Sequence, residues 1–185
     1  MNIDPIILDD LKNFDWKSVL EVGNRLSDLN DRQWRFVKGL TAELSVEKAS
    51  GENGFIYVGE NGKDFVWQKH NLDVELKSQF ADTMYTKKGE LRSRYVVKLN
   101  NSNGTNKKEF LTKNDVATII IVVRKDGAFV VGRDMALENT KKYGDGFELI
   151  IPKEHVIELS GRIIVEPQDI LNIREEVIAR IKDLI

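Results

Sequence analysis

Asp64, Glu75 and Lys77 lie within one short stretch, residues 63–80, KDFVWQKHNLDVELKSQF. In its second half Leu72, Val74 and Leu76 alternate with Asp73, Glu75, Lys77 and Gln79, the period of a β-strand with one apolar and one polar face. Acids and a lysine therefore share the polar face, within about 14 Å at roughly 3.3 Å per residue. Asp64 stands eleven positions before Glu75, across a run that can turn back. An acid, a hairpin's worth of chain and then Glu-x-Lys is the layout of a Mg2+-dependent phosphodiesterase centre.

The chemistry explains the residue types. Mg2+ takes carboxylate oxygens and keeps waters and a substrate phosphate as its other ligands. Held there, it lowers the pKa of a water and offsets charge on the reacting phosphate. A lysine two residues past the glutamate points to the same side and supplies a compact cation for the attacking hydroxide or the developing charge. Taken alone, Glu-x-Lys on an amphipathic strand is more often a pair of solvated charges. The upstream acid, the polar tail Ser78-Gln79 and the order of the surrounding elements favour the chemical reading.

Those elements follow from local pattern. Residues 5–13 and 15–28 predict two short helices, the second capped by Asp15. Asn30 with Gln33 resembles a capping box for a helix to about Lys48, on which Glu43 and Glu47 sit one turn apart. Gly and Asn within residues 50–54 end it. Residues 55–59, 65–68 and 72–80 predict a three-stranded meander with turns at Asn61-Gly62 and His70-Asn71. Residues 95–99 are a further candidate strand. The run ATIIIVV at 117–123 predicts a fully buried strand, turned by Lys125-Asp126-Gly127 into AFVVG at 128–132, a hairpin expected to continue the central sheet. Tyr143 to Gly146 is expected to be a flexible loop and 147–151 a short strand. Pro167 is expected to open a final helix over 168–185, whose apolar stripe suits core packing.

Bulk properties narrow the class. The chain has 185 residues, 41% hydrophobic and 31% charged, a composition suited to one domain with a real core. It has no cysteine and two histidines, which excludes disulfides and Cys-based zinc sites. No apolar run approaches a membrane span, and acids stand near the N-terminus where a secretory signal needs basic residues, so a cytoplasmic protein without a membrane partner is expected. The net charge of −2 is mildly unfavourable for nucleic acid, but residues 87–113 carry eight Lys/Arg against two acids, a local +6.

Glu43 on a helix, Asp64 after a turn and Glu75-Leu76-Lys77 on the next strand resemble the PD-(D/E)xK nuclease superfamily. The string VELKSQ, then TKKG at residues 86–89, then the buried hairpin at 117–132, is most similar to the PvuII/EcoRV-type restriction endonucleases. The resemblance covers roughly residues 30–133, and its specificity lies in the order of elements, because the motif itself is short and degenerate.

The resemblance implies an α/β, restriction-endonuclease-like fold: a central mixed β-sheet flanked by helices. It divides one nuclease domain, 1–185, into N-terminal helices at 1–29 available for dimerisation, a catalytic core at 30–133, and C-terminal strands and a helix at 134–185. It implies Asp64 and Glu75 as Mg2+ ligands, Lys77 as the residue assisting the attacking water, and Glu43 as the helix acid aimed at the same site. Two points depart from or compete with the pattern. Lys63, not proline, precedes Asp64. Asp73 shares a face with Glu75 and competes with Asp64 for the ligand role, although ligands on adjacent strands converge better on one ion.

Other residues have plainer readings beside functional ones. His70 suits a base or phosphate contact, but a solvated turn histidine is the simpler expectation. Trp34 and Trp67 suit the core. Lys87, Lys88, Arg92, Arg94, Lys107 and Lys108 are candidates for gripping phosphates or reading guanine, against the alternative of a solvated loop. The Asn-rich run 100–106 suits a groove contact or a surface turn equally. Asp145 and Glu148 are assigned nothing. The expected activity is a type II restriction endonuclease cutting both strands of a short DNA site as a homodimer. The alternatives are a junction-resolving or repair nuclease of the same fold and a non-catalytic DNA-binding protein.

Overall fold

The computed structural model describes residues 3–27, 35–60, 63–79, 94–98, 117–124, 127–143, 146–152 and 155–160. The alternation read in the sequence is realised in β3 (Leu72–Gln79), the centre of a six-stranded sheet. β1 (Phe55–Glu60), β2 (Lys63–Trp67) and β3 form the expected antiparallel meander. β5 (Ile119–Arg124) lies parallel to β3, β6 (Gly127–Gly132) is its antiparallel partner, and β9 (Ile157–Ser160) closes the order β1-β2-β3-β5-β6-β9. The sheet is therefore mixed, and the protein is α/β.

Three helices cover one face. α1 (Pro5–Lys12) starts at a proline, and Asp4 caps it by accepting from the Ile6 N–H at 2.8 Å. α2 (Trp16–Ser27) is capped as expected by Asp15, which accepts from the Ser18 N–H at 3.2 Å. α3 (Arg35–Ser50) ends where Gly51 takes φ +58° and the Ser50 hydroxyl accepts the Phe55 N–H at 2.9 Å. Beneath these helices Phe65, Trp67, Val74, Leu76, Ile119 and Ile121 form the principal core. Trp67 is fully buried, as expected.

The mixed central sheet is flanked by helices as expected, and its opposite face carries a second sheet besides a helix. Among the described residues that face is covered by β4 (Arg94–Lys98), β8 (Gly146–Pro152) and β7 (Thr140–Tyr143), in the order β4-β8-β7, together with α4 (Arg133–Glu138). Val97, Leu149 and Ile151 pack there on Ile120, Val122, Phe129 and Val131. The strand expected at 95–99 thus belongs to a separate sheet, and Tyr143 and Gly146, the ends of the expected loop, are register partners of β7 and β8. Covered on both faces, β5 is buried along its whole length, which is why its sequence does not alternate. Gly127 is needed where it stands: its φ is +143°, and a Cβ would lie 2.7 Å from the Ser160 carbonyl oxygen.

The helix expected at 168–185 and the strand-flanking basic residues Lys87, Lys88, Arg92, Lys107 and Lys108 lie outside the described residues, as does Trp34. Among the described residues, no helix is long and apolar enough to cross a membrane.

Candidate active site

The site is built from an irregularity in β1. Tyr57 pairs with Phe65 and Glu60 with Lys63, so Val58 and Gly59 together stand across from the single residue Asp64. This is a β-bulge, and Gly59 takes φ +59° within it. Bulges twist a strand and redirect the residue opposite. On its other side Asp64 lies just beyond the last β2–β3 pair, Phe65 with Val74, and continuing that register by one step brings Asp64 across from Glu75. Here the ladder opens, and the Leu76 N–H donates to Asp64 Oδ2 at 2.6 Å instead of to a backbone carbonyl.

Glu75 and Lys77 project from β3 on the same side. Their register partners in β5, Ile120 and Val122, belong to the cluster under the second sheet, which fixes the face. Glu75 is only 5% exposed, and the Lys77 ammonium donates to its Oε1. A buried carboxylate needs such a partner.

Glu43 comes from the helix layer. α3 is laid along β1 in step: Ser50 bonds to Phe55, and Glu47 Oε1 accepts the Tyr57 N–H at 3.2 Å. One helical turn back is about 6 Å and two strand residues are about 6.6 Å, so Glu43 falls level with the bulge and the start of β2. The two acids read one turn apart in sequence thus divide: Glu47 holds the strand and Glu43 joins the site.

The electrostatics register this gathering. Burial pushes the Asp64 carboxyl up to about 7, and the charges of Glu75 and Glu43 push the same way, against the pull of Lys77 and the Leu76 N–H. Burial works against the Lys77 charge, but Glu75, Asp64 and Glu43 outweigh it and hold its pKa above the ordinary lysine value. Lys77 is therefore a fixed cation among three carboxyl groups.

Asp73, the competitor for Asp64, pairs instead with Lys63, whose Nζ lies 3.3 Å from its Oδ1. His70 is not a solvated turn residue. It sits over Trp67, ring centroids 4.4 Å apart, and its Nε2 is 2.5 Å from Asp10 Oδ2, while Lys69 reaches the same oxygen at 2.7 Å. This joint ties α1 to the β2–β3 turn. Of the basic candidates only Arg94 falls on a described element, at the start of β4. Sequence reasoning did not find the bulge, for which Gly59 in an otherwise regular strand was the available signal.

A scan against models of protein families and searches of the curated proteins and of the solved structures find no match for the chain.

Proposed function

We propose that the chain is a Mg2+-dependent endodeoxyribonuclease of the PD-(D/E)xK kind, and within that class a type II restriction endonuclease acting as a homodimer in the cytoplasm. The observation that carries the reading is the convergence of Glu43, Asp64, Glu75 and Lys77 at the point where β2 parts from β3. A chance Glu-x-Lys pair has no reason to collect two more acids from two other elements.

The donor set suits Mg2+. Among the described residues no three His, Cys, Asp or Glu side chains form a metal cage. A hard cation that keeps its waters needs only one or two carboxylates plus the substrate phosphate. Burial, and after it the charges of Glu75 and Glu43, raise Asp64, and a divalent cation would favour its ionised form. Asp64 and Glu75 would hold it, and when bound it supplies a more acidic water and charge compensation at phosphorus. The Leu76 N–H, bonded to Oδ2, fixes the Asp64 carboxyl in place for that role. Lys77, held protonated, cannot serve as a base. It orients the attacking water and stabilises the extra negative charge of the transition state. Glu43 adds a further acceptor for that water.

Incubation of supercoiled plasmid with the protein in Mg2+, Ca2+ or chelator tests the reading. Discrete linear fragments in Mg2+ alone are expected. Structure-selective nicking would instead mean a junction-resolving enzyme, and binding without cutting would mean a DNA-binding module. Neither binding nor cutting of any DNA would end the proposal.

A further inference from the structure

One row of the central sheet beside the site stays open. Glu75 on β3 is in register with Ile120 on β5, and Ile120 with Val131 on β6, and both partners are buried under the second sheet and α4. The same pairings set the next row. Val66 stands opposite Asp73, Thr118 lies one step before Ile119, the partner of Val74, and the Arg133 N–H donates to the Thr118 carbonyl at 3.0 Å. Thr118 is two residues from Ile120 and so falls on the Glu75 side of the sheet. Val66, Asp73, Thr118 and Arg133 are all half-buried, so the cover ends between the two rows. One strand across and two residues along place Thr118 about 8 Å from Glu75.

Arg133 reaches into this row. Its backbone opens α4, but its side chain turns back to the start of β5, where Nε donates to the Ala117 carbonyl and Nη2 to Thr118 Oγ1, each at 3.3 Å. Those are its side-chain contacts among the described residues, and neither is with a carboxylate. The acid of the row, Asp73, pairs with Lys63. A guanidinium carries N–H donors on all three nitrogens in a rigid fork, so donors remain on Nη1 and Nη2. A clip between α4 and β5 uses only the two bonds. The half-buried charge beyond them suits an anion, and the fork matches a phosphate.

We infer that Arg133 is a second phosphate-binding group of this site, holding the phosphate next to the one placed at Asp64, Glu75 and Lys77. The inference rests on the nuclease reading, which supplies the first phosphate. Neighbouring phosphates of one nucleic-acid strand are separated by a span comparable to the step between the two rows. Thr118 is then a positioning residue, because its hydroxyl aims the guanidinium.

The test is titration in Ca2+ with two probes: thymidine bisphosphate, phosphorylated on both sugar hydroxyls, and thymidine monophosphate, phosphorylated on the primary one. The wild-type protein is expected to bind the bisphosphate roughly tenfold more tightly, the usual scale of a charge-assisted bond. Arg133→Ala should lose that preference while its affinity for the monophosphate stays unchanged. Arg133→Lys should keep a part of it, and Thr118→Val, which retains the charge, should lose a part. Melting temperatures measure the clip separately, and Arg133→Lys and Thr118→Val carry the test if Arg133→Ala does not fold. A preference that is the same in wild type and all three variants overturns the inference, as does an equal loss for both probes. If plasmid is still cut in Mg2+ in either case, the nuclease reading stands without it. An Arg133-dependent preference in a protein that cuts no DNA keeps the phosphate site and overturns the nuclease reading instead.

Discussion

The Leu76 N–H donates to Asp64 Oδ2 at 2.6 Å across the gap where β2 leaves β3. A backbone group that belongs to the sheet ladder is satisfied by a side chain, and that side chain is thereby aimed beside Glu75. The bond fixes the acid in position but does not neutralise it, since burial and two neighbouring acids still raise its pKa to about 7.

Stability should therefore depend on pH through Asp64. Its folded pKa lies above the ordinary 3.8, so the stabilising contribution of its protonated form is present below that value and lost as pH rises through about 7. At about 1.4 kcal/mol per pH unit, this window bounds the effect at roughly 4 kcal/mol. Asp64→Asn keeps an acceptor for Leu76 and removes the charge. In chelator, urea unfolding of the variant should lose the decline between pH 4 and 7 and give a protein at least as stable as wild type at pH 8. A variant less stable than wild type at pH 8 would contradict this.

If Asp64 holds Mg2+ as proposed, binding needs it ionised, so the rise in melting temperature on adding Mg2+ should be larger at pH 8 than at pH 6 and absent in Asp64→Asn. A pH-independent rise would place the ion elsewhere.

Lys77 pairs with Glu75, and the catalytic role proposed for it separates from that pairing by experiment. As the cation beside the reacting phosphate, its replacement in Lys77→Met should lower cleavage by about 10³-fold and leave binding to duplex in Ca2+ within a few-fold. As the partner of Glu75, its loss should destabilise by about 3 kcal/mol, the usual consequence of orphaning a buried charge. Glu75→Gln in the same chain should restore most of that stability and none of the activity. Additive destabilisation in the double variant would show that the pair is not coupled.

Gly59 is expected to be a site residue without touching substrate. Its φ of +59° is costly for a side chain, and a Cβ would meet the Tyr57 hydroxyl at 2.8 Å. Gly59→Ala should lose about 1–2 kcal/mol and much of the cleavage rate, whereas Gly59→Asn, more tolerant of this conformation, should lose less of both. Equal activity in all three would mean that the bulge does not set the position of Asp64.

The Asp10 carboxyl is held below its usual value by its bonds to Lys69 and His70. Its contribution is therefore present above pH 3.8 and lost as pH falls through the lowered pKa. Hydrogen exchange at neutral pH should find α1 less protected in Asp10→Ala while β5 is unaffected, a difference that fades in strong acid.

Much of this was legible in the chain. The two-residue period of β3 placed Glu75 and Lys77 on one face, and the turn read at residues 70–71 returned Asp64 to their side. Glu43 and Glu47 were not separable by pattern, because only the laying of α3 along β1 decides which acid bonds Tyr57 and which faces Asp64. The second sheet was hidden for a different reason. β4 and β8 are short strands that pair across some fifty residues of chain, and alternation alone does not say which sheet a strand joins. His70 looked like a solvent residue because its partner, Asp10, is sixty positions away.

The parallel pairing of β3 with β5 sets an order of events in folding. Asp64, Glu75 and Lys77 meet when β2 and β3 close over the short turn at Gln68–His70, a local contact. β5 begins only at Ile119 and must return across residues 80–118 before it can flank Glu75, a slower closure. The carboxyl groups are then expected to crowd together while one side of β3 is still bare, and if the site holds the divalent cation proposed for it, that cation, present from the start of refolding, should change the rate at which the sheet is completed as well as the finished site.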